Sequence, residues 1–212
     1  ALIGELATLD LSPFKLILFG SAVVLDEAQR QLIATKVATG GRHVVLTGYV
    51  GWSNGREIGG NLAAALSGIP TTGSDTDTPV STLALDGAVE QQTLEAPKHV
   101  PVYTVPEAQT IGRWADGQTS AAWLRTDTAT WWSFALSPVA PGILRALGRR
   151  AGCHVINDHD DATSLGDGLL MIHTLPGGDR QLHLPGGKTL SVTLPARSTT
   201  VYDAQTGAVL LG

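Results

Sequence analysis

The clearest periodicity in the chain lies between Phe14 and Thr47. Two short apolar runs, Lys15–Phe19 and His43–Thr47, bracket a segment whose apolar residues recur at helical spacing. Leu25, Ala28, Leu32, Ile33 and Val37 fall on one face of that segment, and Glu27, Arg30, Gln31 and Lys36 on the other. Asp26 is placed to cap the helix, Gln29 three residues on completes a capping box, and Gly40–Gly41 supplies a stop. Strand, amphipathic crossover and strand make a βαβ unit, which implies parallel strands in a sheet covered by helices. The pattern therefore predicts an α/β three-layer domain with a mainly parallel sheet, onto which the rest of the chain docks.

Upstream, Ala1–Leu11 reads as a short helix leading into the first strand. A doubly wound sheet ordinarily has a strand before such a helix, so the chain is expected to be an excised piece of a longer polypeptide with one sheet edge unpaired. Downstream, residues 48–60 form a Gly-rich loop at the carboxyl end of the second strand, the side of an open α/β sheet where ligands bind. Gly59–Leu66 reads as a short helix stopped by Gly68 and Pro70. Thr71–Pro97, rich in Thr, Ser, Asp and Gly, reads as a long excursion with one strand near Ser81–Leu85.

From His99 the signal is strand-like, with a hairpin over Ala121–Leu136 turning at Asp127–Thr128. Pro141 suits the first turn of a helix and Gly152 its stop, with Ile143, Leu144 and Leu147 apolar. Beyond it, short apolar runs separated by Gly or Pro predict an antiparallel β appendage, in which Pro176–Gly178 and Pro185–Gly187 read as hairpin turns. The expected division is an α/β domain over residues 1–151 and a β-rich segment over 152–212.

With 43% hydrophobic and 16% charged residues, the composition is that of a packed core and not of a disordered chain. A net charge of −5 without a basic run argues against a nucleic-acid partner. No apolar run is long enough for a membrane helix, and Ala1–Pro13 lacks a basic n-region and a small-residue cleavage site. A soluble, cytoplasmic protein with no membrane partner is the resulting expectation. Cys153 is the single cysteine, so no internal disulfide can form; between a helix stop and a strand it reads as a buried structural thiol. The low charge and a mean hydropathy of +0.12 point instead to protein contacts.

Candidate chemistry is sparse. In the Gly-rich loop Tyr49, Trp52, Asn54 and Arg56 are suited to stacking on and hydrogen-bonding a sugar or a partner chain, and the same loop also reads as a plain turn-rich connection. It contains neither GxGxxG nor GKS/GKT, which weighs against a phosphate cradle. Of the five tryptophans, Trp131 and Trp132 are adjacent in a strand and must point to opposite faces, so at least one belongs to the core. The acidic run Asn157–Asp161 lacks calcium-loop spacing and reads as a polar turn. The six histidines show no zinc-binding pair, so neither metal nor cofactor is expected. For nucleophilic catalysis the candidates are Ser53, which lacks the G-x-S-x-G frame, and His173, a base candidate at the end of an apolar strand.

Lys15–Gly51, with its strand, turn, helix ending in Gly-Gly and second strand, resembles the middle, trimerisation domain of family 42 β-galactosidases. Trp114, Pro141–Ile156, Gly168–Pro185 and Val201–Leu210 resemble the segment that follows in those proteins, while Thr71–Pro97 is unmatched. The resemblance implies a flavodoxin-like, class I glutamine-amidotransferase-like fold. In true amidotransferases of that fold a Cys occupies the turn that here reads Gly48-Tyr49-Val50. The strand-end His is roughly matched by His173, but Thr174 and Leu175 follow it where the family has Pro-Glu. The triad is thus absent, and the glycosidase barrel would lie upstream. What is implied is a non-catalytic, assembling domain, partnered by a parent catalytic barrel or by copies of itself in a trimer or dimer. A divergent hydrolase and a carbohydrate-binding module are the alternatives.

Overall fold

The computed structural model describes residues 3–20, 22–76, 79–93 and 99–212. Ala1 and Leu2 of the expected opening helix, Ser21, positions 77–78 and 94–97 of the expected excursion, and Lys98 lie outside them. The opening stretch forms a single 3-10 segment, Ile3–Ala7. The chain divides into two compact units, Ala1–Leu147 and Gly148–Gly212.

The first unit begins with the βαβ element. Strands β1 (Leu16–Gly20) and β2 (Arg42–Thr47) are parallel neighbours in register from Leu16 opposite His43 to Gly20 opposite Thr47. Helix α1 (Glu27–Leu32) starts at the expected capping box: Gln29 N donates to Asp26 Oδ1 at 2.8 Å, and Asp26 N donates to Gln29 Oε1 at 2.9 Å. The helix widens into a π turn, Ile33–Val37, closed by Ala38 N donating to Ile33 O. Ile33 and Val37 are buried there, before Gly40 and Gly41 turn the chain at positive φ. Next come α2 (Gly60–Ser67), β3 (Thr71–Asp75), β4 (Val80–Leu85), β5 (Ala88–Thr93) and β6 (His99–Tyr103). They are followed by β7 (Thr110–Trp114), β8 (Thr119–Arg125), β9 (Ala129–Phe134) and α3 (Pro141–Arg150).

These strands do not form a flavodoxin-like, amidotransferase-like three-layer domain. The protein is mostly β, and its nine-stranded mixed sheet curls into a half-barrel. The order β1-β2-β9-β8-β7-β4-β5, with β3 and β6 joined through β8, contains parallel pairs only at β1–β2 and β2–β9 among the described residues. The reason lies in the connections. A parallel neighbour needs a crossover of a dozen or more residues, whereas Asp86–Gly87, Asp116–Gly117 and Asp127–Thr128 are tight turns that can only return the chain antiparallel. Asp86 and Gly87 both take positive φ, as a two-residue hairpin turn requires. The expected excursion thus supplies three strands, β3, β4 and β5, and not one.

The sheet is covered on both faces. Trp131 packs with Leu25, Ile33, Val37 and Val44, while Trp132 packs with Val45, Leu83, Ile143 and Leu147. Both tryptophans are therefore core.

The second unit holds β10 (Ala162–Gly166), β11 (Leu169–Thr174), β12 (Gly178–His183), β13 (Thr189–Leu194), β14 (Ser198–Asp203) and β15 (Val209–Leu211). They form a sheet in the order β10-β11-β14-β15 and a separate hairpin, β12–β13, around Leu170, Ile172, Leu182, Leu184 and Tyr202. Pro185–Gly187 makes the hairpin turn, but Pro176–Gly178 carries the chain from one sheet to the other. Cys153–Asp158 is no strand; only Asn157 forms a bridge, to Leu182. Cys153 itself is half-buried. Among the described residues no helix is long and apolar enough to cross a membrane.

Candidate functional site

The Gly-rich loop follows β2 at its carboxyl end. Gly48 and Gly51 turn it at positive φ, and a Cβ at Gly51 would press on Leu66 at 3.3 Å. The loop is fastened by a residue that helical spacing assigns to the solvent face. Arg30 donates from Nε to Leu25 O (2.9 Å), from Nη1 to Leu62 O (2.8 Å), and from Nη2 to Gly51 O (2.7 Å) and Ser53 O (3.1 Å). One guanidinium thereby ties the start of α1, the loop and α2 together through main-chain carbonyls. Burial pulls the Arg30 pKa down, opposed by the charge of Glu27, and the guanidinium remains a cation. The signal for Arg30 was tertiary, because its partners are carbonyls that carry no residue identity.

Ahead of the loop, Val23, Tyr49, Trp52, Ile58, Gly59, Gly60, Gly73 and His99 line an open cleft of about 430 Å³. Tyr49 and Trp52 meet edge-to-face with ring centroids 5.2 Å apart. Trp52 is only 7% exposed, whereas Ile58 at the loop tip is 83% exposed. The Tyr49 hydroxyl donates to the carbonyl of His99, and partial burial pushes its pKa up. His99, which lines the cleft, has its Nδ1 2.7 Å from Asp75 Oδ1. Asn54 turns inward on the loop, its Oδ1 accepting from Arg56 N (2.9 Å) and Glu57 N (2.8 Å), and Arg56 is exposed. Of the four loop residues, the structure brings Tyr49 and Trp52 together in the cleft and gives Asn54 a turn-building position.

Ser53 and His173 lie in different compact units. Ser53 is buried, its Oγ accepting from Gly55 N at 3.1 Å. His173, on β11, has Nδ1 2.8 Å from Thr199 Oγ1. It borders a second cleft, of about 320 Å³, with His159, Asp160, Asp161 and Arg180. There Arg180 and Asp161 make a buried ion pair: Nε to Oδ2 is 2.6 Å and Nη2 to Oδ1 is 3.1 Å. The Arg180 bonds hold the Asp161 carboxyl well below the usual carboxylate range, helped by Asn157 and Thr174. Arg180 Nη2 also reaches Thr174 Oγ1 at 3.1 Å, which makes this cluster a self-satisfied network. Among the described residues no three His, Cys, Asp or Glu side chains converge as a metal site would require.

A mixed half-barrel sheet with an antiparallel β unit defines the class of fold. No protein-family model matches the sequence, and no curated protein is significantly similar. Among solved structures the fold is similar to that of β-galactosidases. The Halorubrum lacusprofundi β-galactosidase superposes with TM-score 0.66 at 12% identity, over 94% of this chain and 33% of that one. Gan42B, a GH42 β-galactosidase, gives 0.60 at 11%, over 91% and 32%. The Marinomonas ef1 enzyme gives 0.56 at 10%, over 94% and 30%. The chain thus spans about a third of the length of these enzymes, and at such identities the likeness is one of fold.

Proposed function

We propose that this chain is a non-catalytic ancillary domain of a multidomain glycoside hydrolase of the β-galactosidase type, acting through contacts with a catalytic domain and with copies of itself. The coverage carries the reading: over nine-tenths of this chain superposes on one third of each β-galactosidase. The local engagement of Ser53 with its own turn and of His173 with Thr199 agrees with it. The test is turnover of nitrophenyl β-galactosides and of glutamine by the purified chain, beside Ser53→Ala and His173→Ala. No turnover by any of the three is expected. Hydrolysis that vanishes in His173→Ala would replace this reading with that of a divergent hydrolase.

The cleft shared by Tyr49, Trp52 and His99 favours carbohydrate binding as a second reading. Titration with millimolar galactosides decides it: saturable tryptophan quenching, lost in Tyr49→Ala, supports a sugar site, and an unchanged spectrum removes it.

A further inference from the structure

Residues 52–59 of the Gly-rich loop close on themselves as a miniature hairpin. Gly59 N donates to Trp52 O at 2.8 Å, Ser53 bridges antiparallel to Ile58, and Asn54 N donates to Glu57 O at 3.3 Å. The turn is therefore Asn54-Gly55-Arg56-Glu57, at the rim of the cleft that Trp52 and Ile58 line. Asn54 is the only one of the three asparagines followed by glycine; Leu follows Asn61 and Asp follows Asn157. An asparagine carboxamide is open to attack by the main-chain nitrogen of the next residue when no Cβ there obstructs the approach. Gly55 has no Cβ, takes a φ of +89°, and has nothing within 4 Å of where a Cβ would stand.

The groups that ring closure requires are already engaged in the right sense. The nucleophile, Gly55 N, donates to Ser53 Oγ at 3.1 Å, so an oxygen stands where its proton must go. The electrophile is polarised: Asn54 Oδ1 accepts from Arg56 N at 2.9 Å and from Glu57 N at 2.8 Å, as an oxyanion would be held. Asn54 Nδ2, which must leave, has no hydrogen-bond partner among the described residues. Positions 55–58 are exposed, so water and hydroxide reach the turn.

We propose that Asn54–Gly55 is a self-modification site, at which the turn itself promotes deamidation and isomerisation of Asn54. Hydroxide takes the Ser53 hydroxyl proton as Ser53 Oγ takes the proton of Gly55 N. The bond from Gly55 N to Asn54 Cγ forms, and negative charge gathers on Oδ1 under the two main-chain amides. The Cγ–Nδ2 bond then breaks, and Nδ2 takes a proton from water and departs as ammonia, which restores the hydroxide. Water opens the cyclic imide at either carbonyl. Opening at Cγ leaves an aspartate, and opening at the main-chain carbonyl leaves an isoaspartate whose chain runs through Cβ and Cγ. Both products place a new negative charge close in sequence to Glu57. The isoaspartyl form also lengthens a four-residue turn by one main-chain carbon, so the Ser53–Ile58 bridge loses its register and the rim of the cleft opens.

Peptide mapping by mass spectrometry tests this on the 212-residue chain incubated folded at mildly alkaline pH, beside the same chain unfolded in urea and beside Ser53→Ala. Asn54 is expected to gain the mass of water less that of ammonia, while Asn61 and Asn157 stay unchanged. Part of the product should resist an endoproteinase that cuts before aspartate, as isoaspartate does. Ser53→Ala is expected to slow the conversion about 10-fold, less than the roughly 10²–10⁴-fold of a strong general base, because a hydroxyl is a weak one. The urea comparison needs no variant: the folded chain is expected to convert at least as fast as the unfolded one. Conversion confined to the unfolded chain would mean that the turn protects Asn54, and it overturns the proposal. A Ser53→Ala rate equal to that of the wild type does the same.

Discussion

Arg30→Ala is expected to loosen the Gly-rich loop and destabilise the first unit by about 2–4 kcal/mol. The guanidinium makes four hydrogen bonds, of 2.7–3.1 Å, to carbonyls of three segments. A hydrogen bond from a charged donor contributes about 1.5–3 kcal/mol. The sum is discounted because Arg30 is only half-buried and because Ser53 O has a second donor, Leu25 N at 2.9 Å. Against a typical net stability of about 5–15 kcal/mol, the loss is large. Urea unfolding followed by tryptophan fluorescence measures it cleanly, since all five tryptophans lie in the first unit. Arg30→Lys keeps the charge but not the planar fork and cannot reach carbonyls in three directions, so it is expected to recover less than half of the loss. If Arg30→Ala lies within about 0.5 kcal/mol of wild type, as an ordinary surface substitution would, the clamp is refuted.

In the second unit, Asp161→Ala leaves Arg180 buried and uncompensated, at an expected cost of about 3–5 kcal/mol by chemical denaturation followed by amide exchange at Leu170 and Ile172. Because the folded Asp161 carboxyl titrates below its unfolded value of about 3.9, the pair's contribution is complete above that pH and lost as pH falls toward the folded value. Exchange protection that is flat from pH 5 down to about pH 2 would contradict this. Gly60→Ala would place a Cβ 2.4 Å from the Thr71 carbonyl oxygen, which must move, and is expected to cost about 1–3 kcal/mol. Gly4→Ala, with nothing within 4 Å of its Cβ, is the control expected to leave urea midpoints unchanged.

Local chemistry was legible in the sequence wherever the partners were close along the chain. The Asp26–Gln29 capping box, the β1–β2 parallel pair around one crossover, the β8–β9 hairpin and the Pro141–Gly152 helix depend on residues a few positions or one crossover apart. Periodicity also required that Trp131 and Trp132 face opposite ways. That both are buried was decided by tertiary structure, since only packing of helices and strands on each face of β9 makes two interiors of one strand. The sheet class was decided the same way. A single βαβ unit fixes the direction of two strands, but β2 acquires its second neighbour, β9, from more than eighty positions away, and the hairpins that follow set the rest antiparallel. Arg30 shows the limit most plainly. Spacing alone places it on the polar face of α1, yet the returning loop and α2 bring carbonyls over it. A main-chain carbonyl is offered by every residue, so no letter of the sequence announces that partner, and only the folded backbone determines where it stands.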